Sequence, residues 1–148
     1  MTQQTAHSIR QVFHDRPQLL KLAAEEFGLD WGRLFRQILF PRRQSFVALE
    51  GSPVGLCVVS LPGIHTVIRC FRYASEGTAI YMLRYLQEGL CGARSRLFWD
   101  IPERCLSQQL LAHKAGGYCT GIVYRKARDS GAETRPRLRF VWDSVPPF

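Results

Sequence analysis

The sequence predicts an α/β (α+β) domain in which a mixed central sheet of about seven strands is flanked by four helices. Runs of β-branched and aromatic residues alternate with apolar stripes of helical period, in the order β-α-α-β-β-β-α-β-α-β-β. Turns rich in glycine and proline separate these runs. The 148 residues show no repeat and no linker long enough to divide them, so we expect one domain spanning residues 1–148.

The N-terminal third predicts one strand followed by two helices. The strand is expected over residues 8–13. Asp15 is expected to cap the first helix, and Gly28 to end it. The second helix is expected to begin after a cap at Asp30 and to end at Pro41.

The middle of the chain predicts three strands and a helix. Strands over residues 46–50 and 54–61 flank a Gly-Ser-Pro turn, which is typical of a hairpin. A further strand over residues 64–72 leads into a loop of small residues. The helix after this loop carries apolar residues at helical spacing and is expected to end near Gly89 or Gly92.

The C-terminal third predicts a strand, a helix and two closing strands. The strand is expected over residues 96–99, and a capping box beginning at Asp100 is expected to open the helix, which stops at Gly116. The closing strands are expected over residues 118–126 and 138–142. Arginines alternate with apolar residues at the start of the last strand, and we expect them to line an exposed face.

The composition is that of a globular protein outside the membrane, with 46% hydrophobic and 22% charged residues. The longest apolar run, residues 54–61, is too short to span a bilayer. The N-terminus shows no secretory signal, so we expect a cytoplasmic protein with no membrane partner. Five cysteines are scattered singly without zinc-ligand spacing, which predicts reduced thiols and no metal site.

The formal net charge is +8, and arginine supplies most of it in several clusters along the chain. Such a field favours polyanions, including nucleotide phosphates, RNA and acidic proteins. A solvated basic surface that only keeps the protein soluble is the alternative.

The segment from Arg72 to Gly77 is a turn of mostly small residues between a predicted strand and a predicted helix. The start of a helix presents unpaired N–H groups at the positive end of the helix dipole, which suits a phosphate or pyrophosphate. An ordinary turn in which Ser75 or Thr78 caps the helix is the alternative.

This loop resembles the Q/R-x-x-G-x-G/A loop of the GNAT superfamily of N-acetyltransferases. Arg72 and Gly77 match its first and last positions, whereas Ser75 stands where the family usually has glycine. The predicted order of elements matches the GNAT core. Residues 111–118 resemble the L-Y-x-x-x-G-F ending of the family's fourth helix.

The resemblance implies a sheet that splays between its fourth and fifth strands and holds acetyl-CoA, or another acyl-CoA, as co-substrate in the gap. Cys70, Phe71 and Arg72 would flank the pantetheine arm. The main-chain amides around the pyrophosphate would come from Tyr73, Ala74, Ser75, Glu76, Gly77 and Thr78.

The resemblance also implies transfer of the acyl group by direct attack of an amine on the thioester. The family often uses a tyrosine of the fourth helix as the acid, and His113 occupies that position here. Tyr124 on the following strand is a second candidate donor. The alternatives are a surface histidine near a helix C-terminus and a packing tyrosine. The strand over residues 64–72 contains no carboxylate to serve as base.

The leading hypothesis is therefore an N-acyltransferase whose amine acceptor is a small molecule, a protein or an aminoacyl-RNA. One alternative is a GNAT-fold module that binds a partner without turnover. Another is a basic nucleic-acid-binding domain. The oligomeric state is left open, including a homodimer.

Overall fold

A computed structural model describes residues 10–61, 65–90, 95–126 and 134–143. These ranges contain seven strands and four helices in the predicted order. The first six elements are β1 (Gln11–His14), α1 (Pro17–Glu26), α2 (Trp31–Leu39), β2 (Arg43–Glu50), β3 (Ser52–Ser60) and β4 (Thr66–Tyr73). The remaining five are α3 (Glu76–Leu90), β5 (Leu97–Pro102), α4 (Leu106–Lys114), β6 (Tyr118–Lys126) and β7 (Thr134–Trp142). Residues 8 and 9 of the expected first strand, and Gly92, lie outside the described residues.

The strands form one mixed sheet in the order β1-β2-β3-β4-β5-β7-β6. All neighbouring strands are antiparallel except β4 and β5, which run parallel. The predicted α/β class with seven strands and four helices is confirmed. None of the helices in the described ranges is both long and apolar enough to cross a membrane.

Helices cover both faces of the sheet, and β3 shows how one strand serves two cores. Leu56 and Val58 pack with α1 and α2, while Cys57 and Val59 pack with α3 and α4. Successive side chains of a strand point to opposite faces, so a strand buried on both faces reads as a continuous apolar run. This explains why residues 54–61 resemble a hydrophobic segment rather than an alternating one.

The two helix caps predicted near the N-terminus have different outcomes. Asp30 caps α2 as predicted, because its Oδ1 accepts a hydrogen bond from the Gly32 amide at 3.1 Å. The prediction for Asp15 is wrong, since Arg16 holds the N-cap position of α1 without a side-chain bond. Asp15 instead accepts from the Ser45 amide at 2.9 Å, so its carboxylate ties the start of α1 to β2.

Replacing Asp30 by alanine is expected to destabilise the protein by about 1 kcal/mol, because the Gly32 amide loses its acceptor. Urea denaturation followed by circular dichroism measures this change. Asp30→Asn is the matched control, because asparagine is an equally good N-cap. Equal losses for the two variants would contradict a capping role.

The capping box predicted at Asp100 is also wrong, because this residue lies within β5 and α4 begins only at Leu106. Asp100 stands opposite Arg139 in the β5–β7 ladder and is 4% exposed. Its two carboxylate oxygens accept from Arg139 Nε at 2.8 Å and Nη2 at 2.9 Å. A buried carboxylate needs such a bidentate partner, and this requirement outweighs local capping chemistry.

The same pair corrects the expectation that the arginines of the last strand simply line an exposed face. The side chain of Arg139 is only 32% exposed and lies over the ring of Phe98. Arg137 donates from Nη1 to the Asp100 carbonyl at 3.3 Å. Both arginines therefore hold β5 to β7.

Candidate functional site: a cleft between the fourth and fifth strands

The parallel strands β4 and β5 separate soon after they meet. Their register contains two residue pairs, Thr66↔Leu97 and Val67↔Phe98. Beyond these pairs β5 remains paired with β7 through Pro102, while β4 remains paired with β3. One main-chain edge of residues 68–73 is therefore turned toward a gap instead of a neighbouring strand.

The gap is a cleft of about 470 Å³. One wall consists of residues 68–73 of β4. The opposite wall is formed by Trp99, Asp100 and Pro102 of β5, Cys105 and Gln108 at the start of α4, and Arg137 of β7. Phe71 and Trp99 meet edge to face at 5.1 Å, so two aromatic rings join the walls.

The loop at the end of β4 has features of both predicted alternatives, a turn that caps α3 and a turn that could bind an anion. Ser75 does cap α3, since its Oγ accepts from the Thr78 amide at 3.2 Å. The Ala74 amide donates to the Val54 carbonyl at 2.8 Å. Within the described ranges, no hydrogen bond occupies the amides of Glu76 and Gly77. These two N–H groups remain available to an anion.

The space where Gly77 would carry a side chain is open. A Cβ atom built on Gly77 would meet only the Ser75 hydroxyl oxygen, at 4.0 Å. The carboxylate of Glu76 is held by Lys114 Nζ at 3.0 Å, and both side chains are 56% exposed. This exposed ion pair adds little stability, but it offsets the negative charge of Glu76 next to the free amides.

The thiol of Cys70 and the phenol of Tyr73 stay protonated at neutral pH. Burial raises the pKa of Cys70 above its ordinary value, and the nearby charge of Arg72 opposes this shift. Burial also raises the pKa of Tyr73, against a hydrogen bond with Gln108 that lowers it. Cys70 is therefore a weak nucleophile, whereas Tyr73 is a hydrogen-bond donor.

A second cavity, of about 310 Å³, lies between β4 and the α1–α2 region. Gly28, Leu29 and Asp30 form its rim, together with Arg33, Leu34 and Gln37 of α2. It shares Arg69, Cys70 and Arg72 with the larger cleft, so both cavities border the same part of β4. Nothing in the sequence pattern predicted this second cavity.

Both cavities carry an excess of positive charge. The lining arginines are Arg33, Arg69, Arg72 and Arg137, and the lining carboxylates are Asp30 and Asp100. Asp100 is already paired with Arg139, whose pKa is raised by the hydrogen bond to that carboxylate. The field in the cleft therefore favours anions.

The structure brings together some of the predicted site residues and separates others. Residues 70–73 line the cleft, residues 74 and 75 form the turn after β4, and residues 76–78 begin α3. His113 is exposed in the last turn of α4, and Tyr124 is 63% exposed on the edge strand β6. Neither side chain lines either cavity. Their catalytic roles remain predictions without support from the geometry.

Sequence reasoning missed the whole far wall of the cleft. Trp99, Asp100, Gln108 and Arg137 come from three elements that are distant in the chain. Asp100 resembles a helix cap in the sequence, and the other three look like ordinary strand or helix residues. The β5–β7 register brings Asp100 and Arg137 to the same wall, and no local pattern encodes it.

No family model and no curated protein matches this sequence. Solved structures do match its fold. A GNAT-family acetyltransferase from Bacillus cereus ATCC 10987 is similar over 93% of this chain and 99% of its own, with a TM-score of 0.68 and 15% identity. A spermidine/spermine N-acetyltransferase from Vibrio cholerae, covering 90% and 94%, gives a TM-score of 0.66 at 11% identity. A Bacillus subtilis acetyltransferase in complex with CoA, covering 93% and 100%, gives 0.62 at 12%.

These likenesses and the separation of β4 from β5 identify the fold. The chain has the fold of the GNAT superfamily of N-acetyltransferases, with the sheet splayed between β4 and β5 as the resemblance predicted. At identities of 11–15%, these likenesses show the fold alone. Activity therefore has to be argued from the site itself.

Proposed function

We propose that this protein is an N-acyltransferase that moves an acetyl or related acyl group from coenzyme A to an amine. The separation of β4 from β5 after two residue pairs carries the proposal, because it opens a cleft along β4 as far as Tyr73, three residues before the unoccupied amide of Glu76. One structure of this fold, the Bacillus subtilis acetyltransferase, is a complex with CoA, and this supports the same assignment.

The residues of the cleft and of the start of α3 would match three parts of a CoA thioester. The amides of Glu76 and Gly77 would hold the pyrophosphate, with positive charge from Arg72 nearby and with Lys114 offsetting the charge of Glu76. The pantetheine arm would lie along residues 68–73, whose free main-chain edge can pair with its amides. The thioester would then lie near Arg69 and Cys70, which line both cavities.

The co-substrate supplies an activated acyl group as a thioester. The acceptor nitrogen forms a bond to the carbonyl carbon, the carbon–sulfur bond breaks, and the proton lost by the amine ends on the thiolate. A neutral amine is needed for attack. The surplus arginine charge lowers the pKa of a bound amine and so favours its neutral form. Main-chain amides of β4 and the Tyr73 hydroxyl are the donors in the cleft for developing negative charge.

Two measurements test the proposal directly. Calorimetric titration with acetyl-CoA is expected to give a saturable isotherm, and an amine panel is expected to release free CoA thiol. Flat titrations with acetyl-CoA and with longer acyl-CoA esters would refute the proposal. Heparin retention that depends on salt, without binding of CoA, would instead support the nucleic-acid alternative.

Bound acetyl-CoA is expected to protect Cys70 and Cys105 from alkylation by iodoacetamide, because both line the cleft. Cys119 is exposed on β6 outside the cleft and is expected to react equally with and without the ligand. Cys57 is buried, and burial raises its pKa well above the ordinary value, so it reacts only after unfolding.

Mass spectrometry of each cysteine-containing peptide measures this protection, with Cys119 as the internal control. Equal alkylation of Cys70 with and without a saturating ligand would place the ligand outside the cleft. Cys91 lies outside the described residues and has no expected outcome.

One observation favours a second candidate, a GNAT-fold module that binds CoA or a partner without turnover. The two groups predicted as proton donors, His113 and Tyr124, lie outside both cavities. Binding of acetyl-CoA without thiol release across the amine panel would select this candidate over the enzyme.

The remaining parts of the proposal follow from composition and from the neighbours. The acceptor is an amine of a small molecule, a protein or an aminoacyl-RNA, and amines such as spermidine are acceptors named for one structural neighbour. The basic surface would attract a polyanionic partner. We also propose a cytoplasmic location and one domain over residues 1–148, with assembly as a homodimer open to test.

A further inference from the structure

We infer that the second cavity binds an acceptor amine that also carries an oxyanion, a carboxylate or a phosphate, recognised by Arg33, Arg69 and Arg72. The inference rests on the proposed function, since it names the class of acceptor for that site. It separates this chain from an acetyltransferase of polyamines, whose acceptors carry only positive charge.

The position of the second cavity supports its use by the acceptor. The cavity lies on the α1–α2 side of β4 and shares Arg69, Cys70 and Arg72 with the cleft. A substrate bound there would lie next to the part of β4 along which the thioester would bind. Direct attack requires this proximity of acyl donor and amine.

The charges around the second cavity select the class of acceptor. Three arginines and one carboxylate, that of Asp30, line it. Asp30 Oδ1 already accepts the Gly32 amide, so the helix cap engages part of this carboxylate. An acceptor with further positive charge would meet repulsion from the three guanidinium groups. An acceptor with an oxyanion would gain charge-assisted hydrogen bonds from them.

All three arginines line the second cavity, and two of them are held by hydrogen bonds to neighbouring groups. Arg69 donates from Nε to the Ser60 hydroxyl at 2.9 Å, which fixes the side chain beside β3. Arg72 donates from Nη1 to the carbonyl of Phe71 at 2.9 Å. Arg33 lies in the first turn of α2 and lines only the second cavity, whereas Arg69 and Arg72 line both cavities. Arg33 is therefore the residue that separates acceptor binding from CoA binding.

The test compares matched acetylated products by calorimetry, so that it needs no turnover. The first pair is 4-acetamidobutyrate and N-acetylputrescine, which differ in a terminal carboxylate against a terminal ammonium. The second pair is N-acetylethanolamine phosphate and N-acetylethanolamine. The anionic member of each pair is expected to bind roughly tenfold more tightly than the other. The pair with the larger ratio identifies carboxylate or phosphate as the preferred oxyanion.

Arg33→Gln is expected to reduce this preference about three- to tenfold without changing the affinity for CoA. Arg36→Gln is the matched control, because Arg36 lies on the same helix, bonds to the Gly32 carbonyl and lines neither cavity. Equal binding within both pairs, tighter binding of N-acetylputrescine, or an unchanged preference in Arg33→Gln combined with Arg69→Gln would overturn the inference.

The titrations are performed with and without saturating CoA, which separates the two proposals. If CoA binds but the two members of each pair bind equally, the inferred acceptor class fails while the proposed function stands. If CoA does not bind at all, the proposed function fails, and the titrations without CoA still decide whether the cavity prefers oxyanions.

Discussion

Gly77→Asp is expected to weaken the binding of acetyl-CoA strongly while leaving the fold intact. The substitution places a carboxylate beside the free amides of Glu76 and Gly77, where the pyrophosphate would lie. Two unit charges about 4 Å apart near a protein surface repel by up to about 4 kcal/mol, before salt screening is counted. We expect a loss of about 2–3 kcal/mol, or roughly 30- to 150-fold in affinity.

The expected loss does not come from unfolding. Gly77 lies in the first turn of α3, where a negative side chain interacts favourably with the helix dipole. A Cβ at this position has open space, with the Ser75 hydroxyl oxygen at 4.0 Å as its nearest neighbour. Thermal denaturation of the variant without ligand is therefore expected to match that of the parent protein.

Two variants separate charge from size at this site. Gly77→Asn has nearly the same shape as Gly77→Asp without its charge, and it is expected to retain most of the affinity. Ser75→Asp keeps an N-capping side chain while adding the charge two residues earlier, and it is expected to lose affinity as well. If calorimetry gives Gly77→Asp the same affinity as Gly77→Asn, the pyrophosphate does not bind at this loop.

Gly117→Ala is expected to destabilise the protein by about 1–3 kcal/mol. An added Cβ would lie 2.7 Å from two ring carbons of Trp142, Cε2 and Cζ2. This ring is fully buried and is held by a hydrogen bond from Nε1 to the Ala115 carbonyl at 3.1 Å. A rigid ring fixed in this way cannot move aside without breaking that bond or shifting β7.

Chemical denaturation monitored by tryptophan fluorescence measures the effect. Gly89→Ala is the control for a glycine with free space, since it is exposed in α3 with nothing within 4 Å, and it is expected to stabilise by about 0.5–1 kcal/mol. On a Trp142→Phe background, Gly117→Ala is expected to cost less, because the smaller ring leaves room. An unchanged cost on that background would mean that the ring is not the obstacle.

The order of elements could be predicted from the sequence because each element carries its own local signal. Apolar spacing marked the helices, Asp30 and Gly28 marked two helix boundaries, and the turn at Gly51 marked the hairpin. The loop from Arg72 to Gly77 was found for the same reason, since strand, turn and helix follow one another without interruption.

What could not be predicted depends on contacts between distant segments. Asp15 and Asp100 both precede helices and resemble caps, yet each carboxylate is used by a residue of another strand, Ser45 and Arg139. Side-chain chemistry alone does not decide between a nearby amide and a partner about 30 or 39 positions away. The cleft's far wall and the second cavity are hidden from the sequence for the same reason.

The way β5 is anchored has a consequence for how ligands enter. All six residues of β5 pair with β7, and the Asp100–Arg139 bridge reinforces that ladder within the strand. The pairing of β4 with β3 and of β5 with β7 keeps the two central strands apart beyond their first two residue pairs. A ligand therefore does not have to break a strand pair to enter. The free-energy cost of separating β4 from β5 arises during folding and not on binding. More of the free energy of the ligand contacts therefore contributes to affinity.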